Sequence, residues 1–490
     1  MVTAGAALGS AGTASAHVPG TAPAQTGASP VQRATLVGDD SDDGDRFGWS
    51  MATDGDTLLV GAVTDDDPNG EQAGSVYVFE RDGGDWSQTA KLAPDDGDDG
   101  DFFGSAVALA GETALVGARR DEDPASAGSA YVFERTDDGW EQAAKLVPGT
   151  ITVQARLGWS VALAGETALV GAPQDSTDVG GAAAGTVPVF ERTEEGWEQQ
   201  ATLTPESASE GDLFGTALSA AGDTVVVGAA GTAEPNGDQA GAAYVFERDR
   251  EGRGGDGDGS DGDGVWSQTA KLVPDDGDDG DLFGTAVALD SDTALVPAVG
   301  DEDPNGTDAG SAYVFERDGE DWTQTAKLIA DDGTEGDSFG WSVALEDGTA
   351  LVGARRTDEP NGEDGGAAYL FGTDGDGWAQ RAKIAPDGAT AGARAGSSVA
   401  LAGPTALLGA TNDAATSVSR EEEVGSVSVF DLTGETTPIA TPTPTPTATP
   451  TPTPRNVSTP TPTPGEDGPG LGVLTALSGL AGWLWWRHAR

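Results

Sequence analysis

Residues 47–92 read FGWSMATDGDTLLVGAVTDDDPNGEQAGSVYVFERDGGDWSQTAKL, and this stretch decides the fold. It holds four short apolar or alternating runs separated by Gly, Asp, Asn and Pro, the signature of strands joined by turns. Its landmarks are Phe47-Gly48, then Gly61-Ala62, then Val76-Tyr77-Val78-Phe79. All of them return after about 56 residues, so the stretch is one unit of a repeat.

The same Phe-Gly, or a variant of it, occurs at Phe47, Phe103, Leu157, Phe214, Phe283, Phe339 and Ala395. Gly-Ala follows at Gly61, Gly117, Gly171, Gly228, Gly353 and Gly409, while the fifth copy has Pro297-Ala298. The last run of a unit is exemplified by Trp322-Thr323-Gln324-Thr325-Ala326-Lys327-Leu328. Trp322, Ala326 and Leu328 share one face by period two, and Thr323, Thr325 and Lys327 share the other. That is an outermost strand with one wet face. Seven four-stranded units predict an all-β chain, a seven-bladed β-propeller over residues 31–432.

The two ends of the repeat distinguish a ring from an open array. The seventh copy stops after Val427-Ser428-Val429-Phe430 and lacks a fourth strand. An orphan fourth strand, Val31-Gln32-Arg33-Ala34-Thr35-Leu36, precedes the first Phe-Gly. The N-terminal strand is therefore expected to complete the last blade and protect its edge.

Composition narrows the chemistry. The chain has 490 residues and no cysteine, which excludes disulfides and thiolates. Its 74 glycines and 28 prolines suit many tight turns. Against 83 acidic residues stand 25 basic ones, a net charge of −58, the wrong sign for nucleic acid or an anionic membrane surface. Acidity spread along the whole chain fits a protein adapted to molar salt, where the Debye length is about 3 Å and self-repulsion is screened. His17 and His488 are the only histidines, and both lie outside the repeats. Ser-His-Asp catalysis, Cys-His catalysis and His- or Cys-based zinc sites are thereby excluded from the propeller. No carboxylate pair stands out from the repeated background, so no enzyme, catalytic residue, cofactor or metal is predicted.

The flanks differ in composition. Residues 1–30 are uncharged and Ala/Gly/Ser/Thr-rich, with Ala14-Ser15-Ala16 in the form of a signal-peptidase site. They read as a signal-peptide remnant or a disordered terminus. Residues 433–468 are a Thr-Pro stalk, expected to be extended and disordered. Within 469–490, Gly470–Trp486 is an uncharged, largely apolar run of 17 residues ahead of Arg487. It is at the short limit for one membrane helix. Asn305 and Asn456 sit in glycosylation sequons. The Gly-Asp insertion Arg250–Gly264 lacks the apolar positions of a calcium-binding repeat and reads as a solvated loop.

The Phe-Gly, Gly-Ala and Tyr-Val-Phe series resembles the FG-GAP repeat, the blade unit of the integrin alpha-chain propeller. The resemblance implies an extracellular, often adhesive, seven-bladed propeller. Integrin-type blades hold calcium in an Asp-rich loop between the first two strands. Here that loop is short, as in Leu109-Ala110-Gly111-Glu112-Thr113. It offers one or two acids where calcium takes six to eight oxygens, so the chain is closer to a calcium-free variant. The C-terminus resembles the PGF-type sorting tail of haloarchaeal surface proteins, with Pro469-Gly470-Leu471 in place of Pro-Gly-Phe. In that family the tail is removed and replaced by a lipid; a retained helix is the other outcome.

Repeated acids in the loops, such as Asp275–Asp281 and Asp301–Asn305, suit either cation or basic-partner binding or a solvated salt-adapted face. Departures from repetition point further. The loop Pro148–Arg156 has no acid. Arg119-Arg120 and Arg355-Arg356 follow Gly-Ala in blades two and six, and Arg156 and Arg394 precede their Phe-Gly variants. These six arginines are the candidate ligand-binding residues, suited to acidic or sugar-acid groups. Trp49, Trp159 and Trp341 follow Phe-Gly and either line a carbohydrate site or pack within blades. The expected function is a cell-surface-anchored binding or adhesion module, attached to the membrane through its C-terminal segment, whose partner is a surface glycan or protein. A secreted propeller enzyme acting on polysaccharide and a structural envelope component are the alternatives.

Overall fold

The computed structural model describes residues 29–434, apart from 123–125, 178–179, 250–264, 303–304, 374–376 and 414–423. The leader to residue 28, the Gly-Asp insertion, nearly all of the Thr-Pro stalk, the apolar C-terminal run and Asn456 lie outside the described residues. Among the described residues no helix is long and apolar enough to cross a membrane.

The expected architecture is present: seven four-stranded antiparallel sheets, six with their strands in chain order from inner to outer and the seventh with the N-terminal strand outermost. In blade one these are Phe47–Asp54, Thr57–Ala62, Ser75–Asp82 and Asp85–Leu92. The second and third strands are almost wholly buried, because each blade is covered by a neighbour on both faces. Their Val, Leu and Tyr-Val-Phe runs supply that two-sided core. Phe47 stands edge-on to Tyr77 and Phe79, with centroids 5.4 and 5.9 Å apart. Such pairs add about 0.5–1.5 kcal/mol beyond the area they bury. The outer strand Asp85–Leu92 alternates exposed and half-buried, as its one wet face requires.

Two sets of hydrogen bonds tie each blade to the next. The amide that begins each inner strand donates to the preceding blade: Phe103 N to Ala73 O at 2.8 Å, and Phe214 N to Ala184 O at 2.9 Å. The outer-strand glutamine accepts from the connecting loop: Asp95 N to Gln142 Oε1 at 2.9 Å, Asp275 N to Gln324 Oε1 at 3.0 Å. Blade seven is closed by Val31–Leu36, which pairs with Ser426–Asp431. Gln32 faces Phe430 and Ala34 faces Val429, across the same bulge that separates Gln88 from Ala90 in blade one. Gln32 also takes the glutamine's role, accepting from Asp387 N at 2.6 Å. Phe47 N donates across the seam to Val424 O at 3.0 Å. The fifth blade departs from the pattern. Pro297 has no N–H to give, and the inner strand beside it shrinks to Ala288–Asp290.

The loops that join blades are held by carboxylates of two kinds, one bridged by lysine and the other buried. In blade one, Lys91 Nζ reaches Asp40 and Asp65, each at 2.9 Å, and Tyr77 Oη donates to the same two. Blades two and five repeat the lysine bridge through Lys145 and Lys327. The lysine expected on the wet face of the outer strand thus lies against the loop. The second kind is the aspartate two residues before Phe-Gly: Asp45, Asp101, Asp212, Asp281 and Asp337, all buried. Each accepts a backbone N–H from its own loop, as Asp101 does from Asp98 at 2.8 Å.

Deleting residues 31–36 removes a five-pair ladder, the buried Leu36 and the 2.6 Å Arg33–Asp431 ion pair. The expected loss is about 3 kcal/mol or more, seen as a lower denaturant midpoint. An unchanged midpoint would show that blade seven closes without this strand.

The two kinds of carboxylate give stability a pH optimum. Burial pushes Asp45 up to about 7, and Asp101 and Asp281 up to about 6, against their loop hydrogen bonds; Asp212 and Asp337 are raised as well. Unfolded, these groups ionise near 4, so their contribution is complete below that pH and is lost as pH rises through 6 and 7. Burial also opposes ionisation of Asp40, Asp96, Asp276 and Asp332, but their lysine and tyrosine partners outweigh it and hold them low. Their contribution is present above about pH 4 and lost below it. Unfolding midpoints measured in constant salt should peak at about pH 4–5 and decline towards pH 8. Asp45→Asn combined with Asp101→Asn should flatten that alkaline decline.

Candidate functional site

Three positions of every repeat meet where the inner strands begin. The first is the residue before Phe-Gly. In all seven blades it has left-handed backbone: Arg46, Phe102, Arg156, Leu213, Leu282, Ser338 and Arg394, with φ between 55° and 59°. A side-chain-bearing residue pays about 1 kcal/mol there, so its direction is imposed by the blade-to-blade amide bond that follows it. The second is the residue after Phe-Gly. Phe47 pairs with Ala62 and Ser50 with Gly61, which leaves Gly48-Trp49 in a bulge that re-aims the indole. The third is the residue after Gly-Ala.

The structure brings these positions together across blades. Arg119 of blade two lies over Trp49 of blade one at 5.2 Å and Trp159 of blade three at 5.1 Å. Arg46 reaches Trp49 at 5.7 Å, and Arg156 reaches Trp159 at 5.3 Å. Phe102 takes Arg119 at 5.3 Å and Arg120 at 4.5 Å. Arg355 stacks on Trp341 of its own blade. The six arginines expected from the sequence therefore fall into two groups, Arg119-Arg120 with Arg156 and Arg355-Arg356 with Arg394. The three tryptophans act as stacking surfaces for guanidinium groups.

Electrostatics sets both groups apart. Burial lowers Arg119 to about 10, helped by Arg120, Arg156 and Arg46. Burial lowers Arg355 to about 10, helped by Arg356 and Arg394 and opposed by Asp364. Both remain cations at neutral pH. Elsewhere arginines meet acids: Arg33 meets Asp431, Arg81 Asp56, Arg135 Glu80, Arg192 Glu134 and Arg317 Glu247. Among the described residues, Arg46, Arg119, Arg120, Arg156, Arg355, Arg356 and Arg394 make no ion pair with any carboxylate. Stacking on aromatic faces leaves the in-plane N–H fork of a guanidinium available to an oxyanion.

Arg46 and Phe102 were not expected from the sequence. Their signal was their register, since both occupy the place of Arg156 and Arg394, immediately before Phe-Gly. The acidic loops look different from a cation site. Asp276 and Asp301 border a hollow with Asp278, Asp279, Asp281 and Glu302, but both already hold Lys327. Among the described residues no group of three or more His, Cys, Asp or Glu side chains is arranged to hold a metal. The turn between inner and second strands is as short as Gly111-Glu112, with Ala110 paired to Thr113. Asn305 Nδ2, the nitrogen that would carry a sugar, donates to Ala330 O at 3.1 Å. Asn69 and Asn236 make the same bond to Pro94 O and Pro274 O.

A family model described as FG-GAP repeat matches seven times, at residues 30–79, 86–133, 140–190, 197–246, 266–315, 322–371 and 378–430. These matches cover well over half of the chain, which therefore belongs to the FG-GAP repeat family. No curated protein matches it significantly.

Like charges held together without counter-ions strain the ring. Arg119→Met keeps the stem between Trp49 and Trp159 and removes the buried charge. It should raise stability by about 1 kcal/mol, measured as the unfolding midpoint in low-sulfate buffer. A lowered midpoint would show that the guanidinium holds the three blades together.

Proposed function

We propose that this FG-GAP propeller is a cell-surface binding or adhesion module that engages acidic groups of its ligand through the arginine-lined mouth. One observation supports the reading above others. Among the described residues, seven arginines make no ion pair with a carboxylate, in a chain that carries 83 acids and a net charge of −58. Arginines placed for stability alone would have found acids, as they do on the outer strands. The left-handed backbone before Phe-Gly, present in every blade, and the bulge at Trp49, which recurs at Trp341, set the directions of these side chains.

FG-GAP propellers are typically extracellular or surface proteins, and the rest of the reading follows from the flanks. The Thr-Pro stalk spaces the propeller from the envelope, and the apolar run after Gly470 anchors it, as a retained helix or through a sorting step. The partner is a surface glycan or a surface protein. Nucleic acid is disfavoured by the charge of the whole molecule. Catalysis is not part of the proposal: the ring has no histidine, and Asp40, Asp65, Asp276 and Asp301 are engaged by lysine.

Arg119→Glu with Arg120→Glu is expected to weaken binding of the purified protein to envelope material at least tenfold, because one buried charge-assisted contact is worth about 1.5–3 kcal/mol. Pull-down at fixed salt measures it. Binding unchanged by the double reversal would remove the mouth from the proposal.

A further inference from the structure

The two arginine groups are one device built twice. Arg119-Arg120 follow Gly117-Ala118 in blade two, and Arg156 precedes Leu157-Gly158 in blade three. Arg355-Arg356 follow Gly353-Ala354 in blade six, and Arg394 precedes Ala395-Gly396 in blade seven. The positions are equivalent, four blades apart. Two backbone details that every blade shares hold the arginines in equivalent positions. Arg120 N donates to Asp101 O and Arg356 N to Asp337 O, both at 3.2 Å. Arg156 and Arg394 have φ of 59° and 58°. In each group the first arginine is stacked on tryptophan and lowered to about 10 by burial and by the other two arginines. The Nε of Arg355 is buried without a hydrogen-bond partner among the described residues.

Acid is withdrawn at the same two places. Five blades carry the buried aspartate two residues before Phe-Gly, but blades three and seven have Ala155 and Ala393, both fully buried. Of the loops leading to them, 148–155 contains no acid and 386–393 contains only Asp387, whereas each of the other connecting loops carries at least three acids. Val153 stands 67% exposed in the first of these loops. Blades four and five show what ordinary drift looks like: Leu213 and Leu282 replace the arginine before Phe-Gly, and Ala230 and Val299 replace the one after Gly-Ala. The acidic rim is thus open at blades three and seven, where the two triads sit.

We propose that each triad is a receptor for one carboxylate or sulfate, and that the ligand is an acidic polysaccharide bound at both. This deepens the binding reading above and rests on it. A guanidinium fork donates two parallel hydrogen bonds to either oxyanion. Two separated receptors suit a chain that repeats its charge along its length. The acidic rim of the intervening blades disfavours a bulky acidic partner, while a slender chain entering through the two gaps keeps clear of it. Two-point attachment adds affinity without new contacts.

The test is calorimetric titration of the full-length protein at fixed salt. The probes are galacturonic acid, a long oligogalacturonate, dextran sulfate, neutral dextran and polyglutamate. The acid monomer is expected to bind weakly at two sites per chain. A long acidic polysaccharide should bind about a hundredfold tighter; oligogalacturonate or dextran sulfate alone doing so would identify the group as carboxylate or sulfate. Arg120→Gln and Arg356→Gln change exposed residues outside the blade cores. Each should leave one monomer site intact and bring the polymer close to monomer affinity. If Arg120→Gln weakens the polymer and Arg356→Gln does not, the duplication is overturned while the binding mouth stands. If neither variant changes binding, both readings fall. Neutral dextran or polyglutamate binding as tightly as the acidic polysaccharide would overturn the ligand class.

Discussion

Adjacent blades of this ring meet backbone to backbone. A Cβ placed on Gly61 of blade one would lie 2.4 Å from Gly104 O of blade two, and one on Gly409 would lie 2.3 Å from Gly48 O across the seam. No side chain fits in that gap. The two glycines of the repeat, one after the inner aromatic and one before the second-strand alanine, are the two sides of this contact. Because the main chains approach so closely, Ser50 and Ser398 hydroxyls can donate to the glycine carbonyls of the next blade at 2.8 and 2.7 Å. The amide of the next inner strand reaches back as well. The aromatic residues then fill the wedge between blades, and closure follows from repetition. The single departure is in blade five, where Pro297 faces Gly340 and the inner ladder is shortened.

That contact also explains why a site can form at the start of the inner strands. Residues from three blades converge there, yet the strands beneath are fixed by glycine packing and do not depend on the mouth. Trp49, Arg119 and Trp159 are far apart in the chain and stack because their blades are forced together. The ring supplies the rigidity, and substitutions at its mouth change charge without touching its core. The inner strands line a hollow with small and aliphatic side chains such as Val287, Leu289, Val343 and Leu345.

Much of this was legible in the sequence, and the reasons differ by feature. Phe-Gly and Gly-Ala were visible because the close glycine contact is required at nearly every blade junction and recurs at a fixed interval, with Pro297 the one replacement of its second-strand glycine. The closing strand was visible because Val31–Leu36 reads as the fourth strand of a repeat whose first three strands do not precede it. The six arginines stood out against an acidic background. Their division into two triads did not, since it depends on which blades are neighbours. Arg46 was hidden because it follows a buried aspartate, unlike Arg156 and Arg394, which follow alanine. The outer-strand lysines were misleading: Lys327 alternates like a wet residue, but its stem crosses to Asp276 and Asp301. Period two reports a face of a strand and is silent about a loop folded over that face.

The closing blade places the C-terminal strand, Ser426–Asp431, between two others, Thr405–Ala410 and Val31–Leu36. The chain therefore leaves the ring from an interior strand, while the N-terminal one forms the edge. Any tension arriving along the C-terminal segment must break two hydrogen-bonded ladders before the strand can move. An edge strand would yield after one. The N-terminal residues act as a clamp laid over the point of traction, and they carry none of the load themselves until that strand begins to slide. A tether attached at this end is borne by an interior strand of the seventh blade, so the seam of the ring is also its mechanical grip.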